Sequence, residues 1–285
     1  MSAKGSKLGA LCEVLVAFAA MHVAFRAFQR FTELGREEVA AGLNYAPGVA
    51  MIAVSLLLIV VGRHTFAEFG LTLSDFAGNV RVGLVALVLV FAAGAALYPL
   101  DLERRPAAIG RDDALIYVGA SLLVIGLVLY LLDKGVERKL PKALAVTLLL
   151  ATMALPFVAT TWTGKDLEDV GLTVGWIVVG AGIGEEVFFR GYVQSRLNQV
   201  FGKPFSIFGV PFGLGLILAS ALFGLMHVLN PTDYFSGHWS FRPWHGLVTS
   251  VGLYGFLREK TGSVVAPAAL HALFDLCLRL PGLVA

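Results

Sequence analysis

Three ionisable residues lie close together in one of the most apolar parts of the chain. Glu185, Glu186 and Arg190 fall within a segment that otherwise has the composition of a lipid-embedded helix. An ionisable side chain at membrane depth is costly, so such residues commonly mark functional sites. A carboxylate placed there can act as a general base toward water. This cluster is therefore the first candidate for chemistry.

Helical spacing separates the two glutamates. Glu186 and Arg190 are four residues apart, so on an α-helix they share a face and can form an ion pair. Glu185 is rotated by about 100° from Glu186, which leaves its carboxylate free for chemistry. The alternative is a helix end at the membrane interface, where Arg190 extends its charge toward water. That alternative accounts for one glutamate but not for two adjacent ones. The small residues at 180–184 also predict that a neighbouring helix approaches closely.

Two histidines and an aspartate follow at helical spacing. His227 comes four residues after Phe223, and Asp275 comes four residues after His271. A carboxylate at this spacing can fix the tautomer and orientation of an imidazole. Either motif alone is explained as readily by a structural hydrogen bond. With Glu185 they form a set that can activate water and stabilise an oxyanion.

The elements that must position these residues are apolar segments of near-membrane length. The chain has 285 residues, of which 57% are hydrophobic and only 15% are charged, against roughly 25% charged residues in an ordinary soluble domain. A first segment, interrupted early by Glu13, is expected to be an uncleaved helix. Eight further apolar segments span approximately 45–62, 83–100, 115–132, 143–162, 172–190, 211–229, 244–257 and 263–280. We therefore expect an all-α fold, a polytopic transmembrane helical bundle with eight or nine spans.

Ionisable residues inside the segments are concentrated in the second half. This asymmetry predicts N-terminal membrane scaffold helices at 1–142 and catalytic membrane helices at 143–285, within one integral membrane domain. Glu185 and His227 can share one membrane depth only if the helix carrying Glu185 continues past Arg190. The net charge of +2 is too small to suggest nucleic-acid binding.

Three short motifs occur in one order along the second half of the chain. Together they resemble the CPBP family, the CAAX-processing and bacteriocin-processing intramembrane proteases, also called the ABI family. The family pattern is Glu-Glu-x-x-x-Arg, then Phe-x-x-x-His, then His-x-x-x-Asn/Asp. The matching motifs are Glu185-Glu186-x-x-x-Arg190, Phe223-x-x-x-His227 and His271-x-x-x-Asp275. The resemblance covers roughly residues 143–280.

The resemblance implies a glutamic-type intramembrane endopeptidase. Glu185 would be the general base that activates water, assisted by His227. His271 and Asp275 would stabilise the tetrahedral oxyanion. The supporting residues would be Glu186, Arg190 and Phe223.

Asp275 stands at a position where the family pattern also allows asparagine. An asparagine amide can donate a hydrogen bond to an oxyanion, whereas an ionised aspartate only accepts. Asp275 must therefore be protonated, or else orient and charge His271, which then donates. The resemblance requires no cofactor. Zinc remains an alternative, with Glu185, His227 and His271 as its ligands.

The resemblance also implies the partners. The substrate would be a membrane-anchored or prenylated protein or peptide, or one with a C-terminal signal, and the surroundings would be the lipid bilayer. Composition favours a bacterial origin and hence the inner membrane, and it gives no oligomeric state. Two other classes compete: a proton- or ion-coupled transporter that uses the same residues as a relay, and a non-catalytic immunity or scaffold protein. The aromatic-rich loop 230–243 is expected to act as a substrate gate or as an interfacial aromatic belt.

Overall fold

The computed structural model describes residues 6–43, 45–97, 111–229 and 252–284, and nearly all of them are helical. The predicted all-α class is confirmed, apart from one small hairpin. Single-turn 3-10 helices lie at Phe66–Phe69 and Val136–Lys139. The α-helices are α1 Lys7–Phe31, α2 Glu33–Ala40, α3 Tyr45–Val61, α4 Phe76–Leu97, α5 Arg111–Asp133, α6 Lys142–Thr163, α7 Leu167–Gly175, α8 Gln194–Phe201, α9 Leu214–Leu229, α10 Leu253–Thr261 and α11 Val265–Val284.

The hairpin joins α8 to α9. Strands β1 (Phe205–Ile207) and β2 (Val210–Phe212) pair antiparallel, with Phe205 opposite Phe212. The two residues between the strands, Phe208 and Gly209, have φ angles of 47° and 72°. Positive φ at both central positions gives the tight turn whose twist matches that of the strands.

The segment that carries the glutamates is one unbroken helix with two π-helical stretches. These stretches cover Trp176–Glu185 and Val187–Val193 and connect α7 to α8. The whole segment, Leu167–Phe201, is 35 residues long, and we refer to it as the site helix. It continues well past Arg190, as the predicted depth of the site requires. Turns closed by i→i+5 hydrogen bonds are rare and occur frequently at functional sites.

Among the described residues, four helices are long and apolar enough to cross a membrane. A fifth is reached if α2 and α3, which are bent by 116°, count as one broken span. The predicted eight or nine spans are therefore not confirmed. The apolar helix α9 has 16 residues, which is below the about 20 residues needed for a full crossing. The four long helices are Lys7–Phe31, Phe76–Ala95, Lys142–Thr163 and Leu167–Phe201.

Glycines let α3 and α11 pack against the backbone of the site helix. A Cβ atom on Gly48 of α3 would lie 2.3 Å from the Cα atom of Gly180, and one on Gly184 would lie 2.7 Å from the carbonyl oxygen of Gly48. On another side, a Cβ atom on Gly182 would lie 2.6 Å from the Cβ atom of Ala272 in α11. The close approach predicted from the small residues is confirmed, and it involves two helices.

A polar cluster joins α1 to the site helix. The Arg196 guanidinium donates to both carboxylate oxygens of Glu13, with Nη2 at 2.9 Å from Oε2 and Nε at 3.1 Å from each oxygen. The Tyr192 hydroxyl also donates to Oε1 of Glu13. We refer to Glu13, Tyr192 and Arg196 as the anchor cluster. It holds α1 beside an apolar core that includes Phe18 and Phe189.

Candidate active site

The four side chains predicted to carry chemistry line one cavity of about 370 Å³. Glu185 comes from the site helix and His227 from the end of α9. His271 and Asp275 both come from α11. Three helices that are distant in sequence therefore meet at one place.

Glu185 lies between the two histidines. Its Oε2 atom is 3.9 Å from Nε2 of His227 and 3.9 Å from Nε2 of His271. Both distances are longer than a hydrogen bond. Oε2 is buried and has no hydrogen-bond partner among the described residues. Oε2 of Glu186 is also buried without a partner among these residues, so what distinguishes Glu185 is that its carboxylate lines the cavity beside two imidazoles.

The orientation of His227 follows from its contact with the backbone. Its Nδ1 atom lies 3.0 Å from the carbonyl oxygen of Phe223. Because a carbonyl only accepts, Nδ1 donates, and Nε2 is left as the acceptor that faces Glu185. The rings of Phe223 and His227 lie with centroids 4.4 Å apart. The loop 230–243, predicted as a gate or an aromatic belt, lies outside the described residues.

Glu186 and Arg190 form the predicted ion pair. Nη1 of Arg190 lies 3.2 Å from Oε1 of Glu186, and both side chains are 0% exposed. The guanidinium carbon also lies 4.1 Å from the ring centroid of Phe223 and 5.1 Å from that of Tyr254. A desolvated cation over aromatic rings is stabilised by their quadrupoles. Removing one partner would leave the other as an uncompensated buried charge.

Glu186 also orients His271, a role that the sequence suggested for Asp275. Nδ1 of His271 lies 2.9 Å from Oε1 of Glu186. Asp275 Oδ2 is 3.7 Å from Nε2 of the same imidazole, which is beyond hydrogen-bond range. A spacing of four places His271 and Asp275 on one helix face, but it does not bring their polar atoms together. Asp275 instead lines the cavity, with its side chain 28% exposed.

Several lining residues were not predicted. Tyr254 of α10 lines the cavity, and so do Arg26 and Gln29 of α1 and Met51 of α3. The last three belong to the half expected to be scaffold. The only sequence signal for Arg26 and Gln29 was that polar side chains inside the apolar first segment are functional candidates by membrane position, and Met51 carried no such signal.

The zinc alternative was assigned to Glu185, His227 and His271. Zinc would need ligand atoms at about 2.0–2.2 Å from the ion. Within the four described ranges, no group of three or more His, Cys, Asp or Glu side chains has a spacing that could hold a metal ion. Chelation of the purified enzyme tests the zinc alternative.

Comparison with known proteins identifies the class. Residues 168–277 match the family model described as type II CAAX prenyl endopeptidase Rce1-like. The matched segment contains both glutamates, Arg190 and all three residues predicted to act with Glu185, so the resemblance to the CPBP family is confirmed. Residues 168–277 are thus similar to a CAAX-protease-type domain, and the apolar helices support an integral membrane protein. Neither the curated proteins nor the solved structures gave a match.

Proposed function

We propose that the protein is an intramembrane endopeptidase in which Glu185 activates water for attack on a peptide bond. The observation that carries the proposal is the Glu185 carboxylate, which lies in the cavity at 3.9 Å from two imidazole nitrogens with no hydrogen bond to Oε2. Carboxylate and imidazole groups are suited to general acid–base catalysis. The distances leave both free to engage a water and a substrate, since catalytic contacts are often long before the substrate binds.

The first step is proton transfer from water. Glu185 takes a proton while the water oxygen attacks the scissile carbonyl carbon, and His227 holds the water through its acceptor Nε2. When the tetrahedral intermediate collapses, Glu185 returns the proton to the departing amine nitrogen. Each residue then has the protonation state in which it started.

His271 and Asp275 are assigned to the oxyanion side. His271 faces Glu185 and Asp275 through Nε2, at 3.9 Å and 3.7 Å. As an imidazolium it would donate from Nε2, and Asp275 would then act as its counter-charge. If Asp275 is protonated, its carboxyl group donates a hydrogen bond to the oxyanion directly. Glu186 and Arg190 keep the imidazole in place in either case.

The substrate proposal follows from the family match. The matched family model is described as a type II CAAX prenyl endopeptidase, so we infer that the substrate is a prenylated or membrane-anchored protein or peptide, or one with a C-terminal signal. We also propose a bacterial inner-membrane location with a role in protein processing or sorting, and eight or nine spans in the full chain. In that arrangement residues 1–142 form the scaffold and contribute part of the cavity wall.

The proposal is tested with purified full-length protein in liposomes. The probes are an internally quenched peptide with an S-prenylated cysteine near its C-terminus and a panel of membrane-anchored peptides read by mass spectrometry. Cleavage by the wild type that is abolished by Glu185→Gln and His227→Ala, but retained by Glu13→Gln of the anchor cluster, is the expected result. Normal turnover by Glu185→Gln would refute the assignment. Proton or ion flux without any cleavage would favour the transporter instead.

The metal question has a separate experiment. Purified enzyme is chelated exhaustively and assayed on the same peptides. Full activity after chelation would argue against zinc. If activity is lost and only zinc restores it, the result would indicate that Glu185, His227 and His271 are zinc ligands.

A further inference from the structure

The proposed reaction needs a hydrogen-bond donor for the oxyanion, and the predicted residues supply one only conditionally. A neutral His271 that donates from Nδ1 to Glu186, 2.9 Å away, has no proton on Nε2. An ionised Asp275 has no proton to donate. Both residues therefore depend on an additional proton, either on the imidazole or on the carboxylate.

Tyr254 is a polar side chain in the cavity wall to which no role has been assigned. It is the second residue of α10, two positions after Gly252, whose φ of 102° is accessible mainly to glycine. Its ring centroid is 5.1 Å from that of His271. On another side, the Arg190 guanidinium carbon lies 5.1 Å from the Tyr254 ring centroid. The ring is thus fixed between two members of the site.

The hydroxyl of Tyr254 faces open space. The residue is only 7% exposed, and it lines the cavity. Within the described part of the chain, Oη forms no hydrogen bond. It is not among the fully buried polar atoms without a partner, so part of its surface is accessible. Its accessible surface is therefore toward the cavity.

A purely structural role does not account for this hydroxyl. Phenylalanine would make the same ring contacts with Arg190 and His271. Because Oη is accessible from the cavity, water can solvate it until a group of the substrate takes the place of that water. The partner of the hydroxyl is then expected to arrive with the substrate.

We propose that Tyr254 is a catalytic residue whose hydroxyl donates a hydrogen bond to the oxyanion, a role that rests on the proposed peptidase function. As water attacks the carbonyl carbon and Glu185 takes its proton, the electrons of the C=O π bond move onto the oxygen. That oxygen accepts a hydrogen bond from Tyr254, which keeps its proton. When the C–N bond breaks, the electron pair re-forms C=O and Glu185 protonates the leaving amine. The tyrosine donor works whatever the protonation of His271 and Asp275.

The test is Tyr254→Phe, which removes the hydroxyl and keeps the ring. With the quenched prenylated peptide we expect kcat to fall by about 10²–10³-fold, the effect of losing one oxyanion donor, while KM and the thermal unfolding midpoint stay unchanged. Wild-type kcat in Tyr254→Phe would overturn the inference. So would a raised KM at unchanged kcat, because that pattern indicates ground-state binding.

A second measurement keeps the test decisive if the variant is less stable. A phosphinic peptide, with a tetrahedral phosphinate in place of the scissile amide, mimics the intermediate and is titrated against the folded fraction of each protein. Its affinity should fall by a factor similar to that for kcat, and equal affinity for both proteins would contradict the role. Glu185→Gln is assayed in parallel. If it is inactive while Tyr254→Phe is normal, only the tyrosine inference fails. If Glu185→Gln is active, the proposed function itself fails.

Discussion

Two polar clusters include residues of the site helix, and they use their carboxylates in opposite ways. In the anchor cluster both oxygens of Glu13 accept hydrogen bonds from Arg196, and Tyr192 adds a further donor. In the cavity Glu185 approaches its nearest imidazole nitrogens only to 3.9 Å, with Oε2 unbonded. A carboxylate whose two oxygens both accept hydrogen bonds holds helices together. A carboxylate in a cavity beside two imidazoles, with one oxygen unbonded, is suited to react with a bound water or substrate.

Adjacent residues in the cavity show the same contrast. Oε1 of Glu186 contacts both Arg190 and His271, at 3.2 Å and 2.9 Å. Through Oε1, Glu186 therefore joins two neighbouring side chains as Glu13 does, although its Oε2 atom, like that of Glu185, has no hydrogen-bond partner among the described residues. The distinction between a structural and a reactive glutamate depends on its partners and not on its burial, because Glu186 is the more deeply buried of the two.

The largest expected effect comes from the carboxylate of Glu185. Glu185→Gln removes the general base and should lower kcat/KM by about 10²–10⁴-fold, with the unfolding midpoint unchanged because Oε2 forms no hydrogen bond. Glu13→Gln is the matched control and should keep kcat/KM near the wild-type value. Turnover and thermal unfolding in the same detergent measure both. Equal losses of activity in the two variants would remove the distinction between the clusters.

The next effect is on stability. Arg190→Ala leaves Glu186 as a buried charge without its cation, which should lower the free energy of unfolding by about 3–5 kcal/mol. Arg196→Ala in the anchor cluster should cost less, because Glu13 is 34% exposed and water can solvate it. Chemical denaturation of both variants in mixed micelles gives the comparison. A larger loss for Arg196→Ala would show that the anchor cluster is the main support.

The chemistry of the site was predictable from sequence because it depends on residue type and helical spacing. The positions of Glu185, His227, His271 and Asp275 follow from motifs, and so does the pairing of Glu186 with Arg190. The choice of Glu186 over Asp275 as the partner of His271 was not predictable. Spacing reports which residues share a face, and the distance across two helices depends on how closely they pack.

The N-terminal contribution to the cavity was hidden for a related reason. Arg26 and Met51 reach the cavity through contacts with helices more than a hundred residues away, and no local pattern encodes such a contact. The π-helical register of the site helix was also unpredictable, since it departs from the spacing that sequence rules assume. The predicted number of spans is not confirmed among the described residues, where α3 and α9 have only 17 and 16 residues.

A smaller loss of activity should follow from displacing the Glu185 carboxylate without replacing the residue. In Gly48→Ala the new Cβ atom would lie 2.3 Å from Cα of Gly180, so the site helix must shift. We expect an overpacking cost of about 1–3 kcal/mol and a decrease in kcat of about 10²-fold, as for a displacement of about 1 Å at a catalytic group. Gly126→Ala in α5 is the control, because nothing lies within 4 Å of its added methyl group. Equal activity of the two variants would show that this glycine contact does not position Glu185.

The smallest effect is the coupling within the anchor cluster. A double-mutant cycle of Glu13→Gln and Arg196→Met should give an interaction energy of about 1 kcal/mol, since the pair has two-pronged geometry but is partly open to solvent. The cycle isolates the pair because each substitution keeps most of the side-chain volume. The same cycle with Glu186→Gln and Arg190→Met should give a larger coupling, as both side chains are fully buried. If the two couplings were equal, burial would not distinguish the two ion pairs.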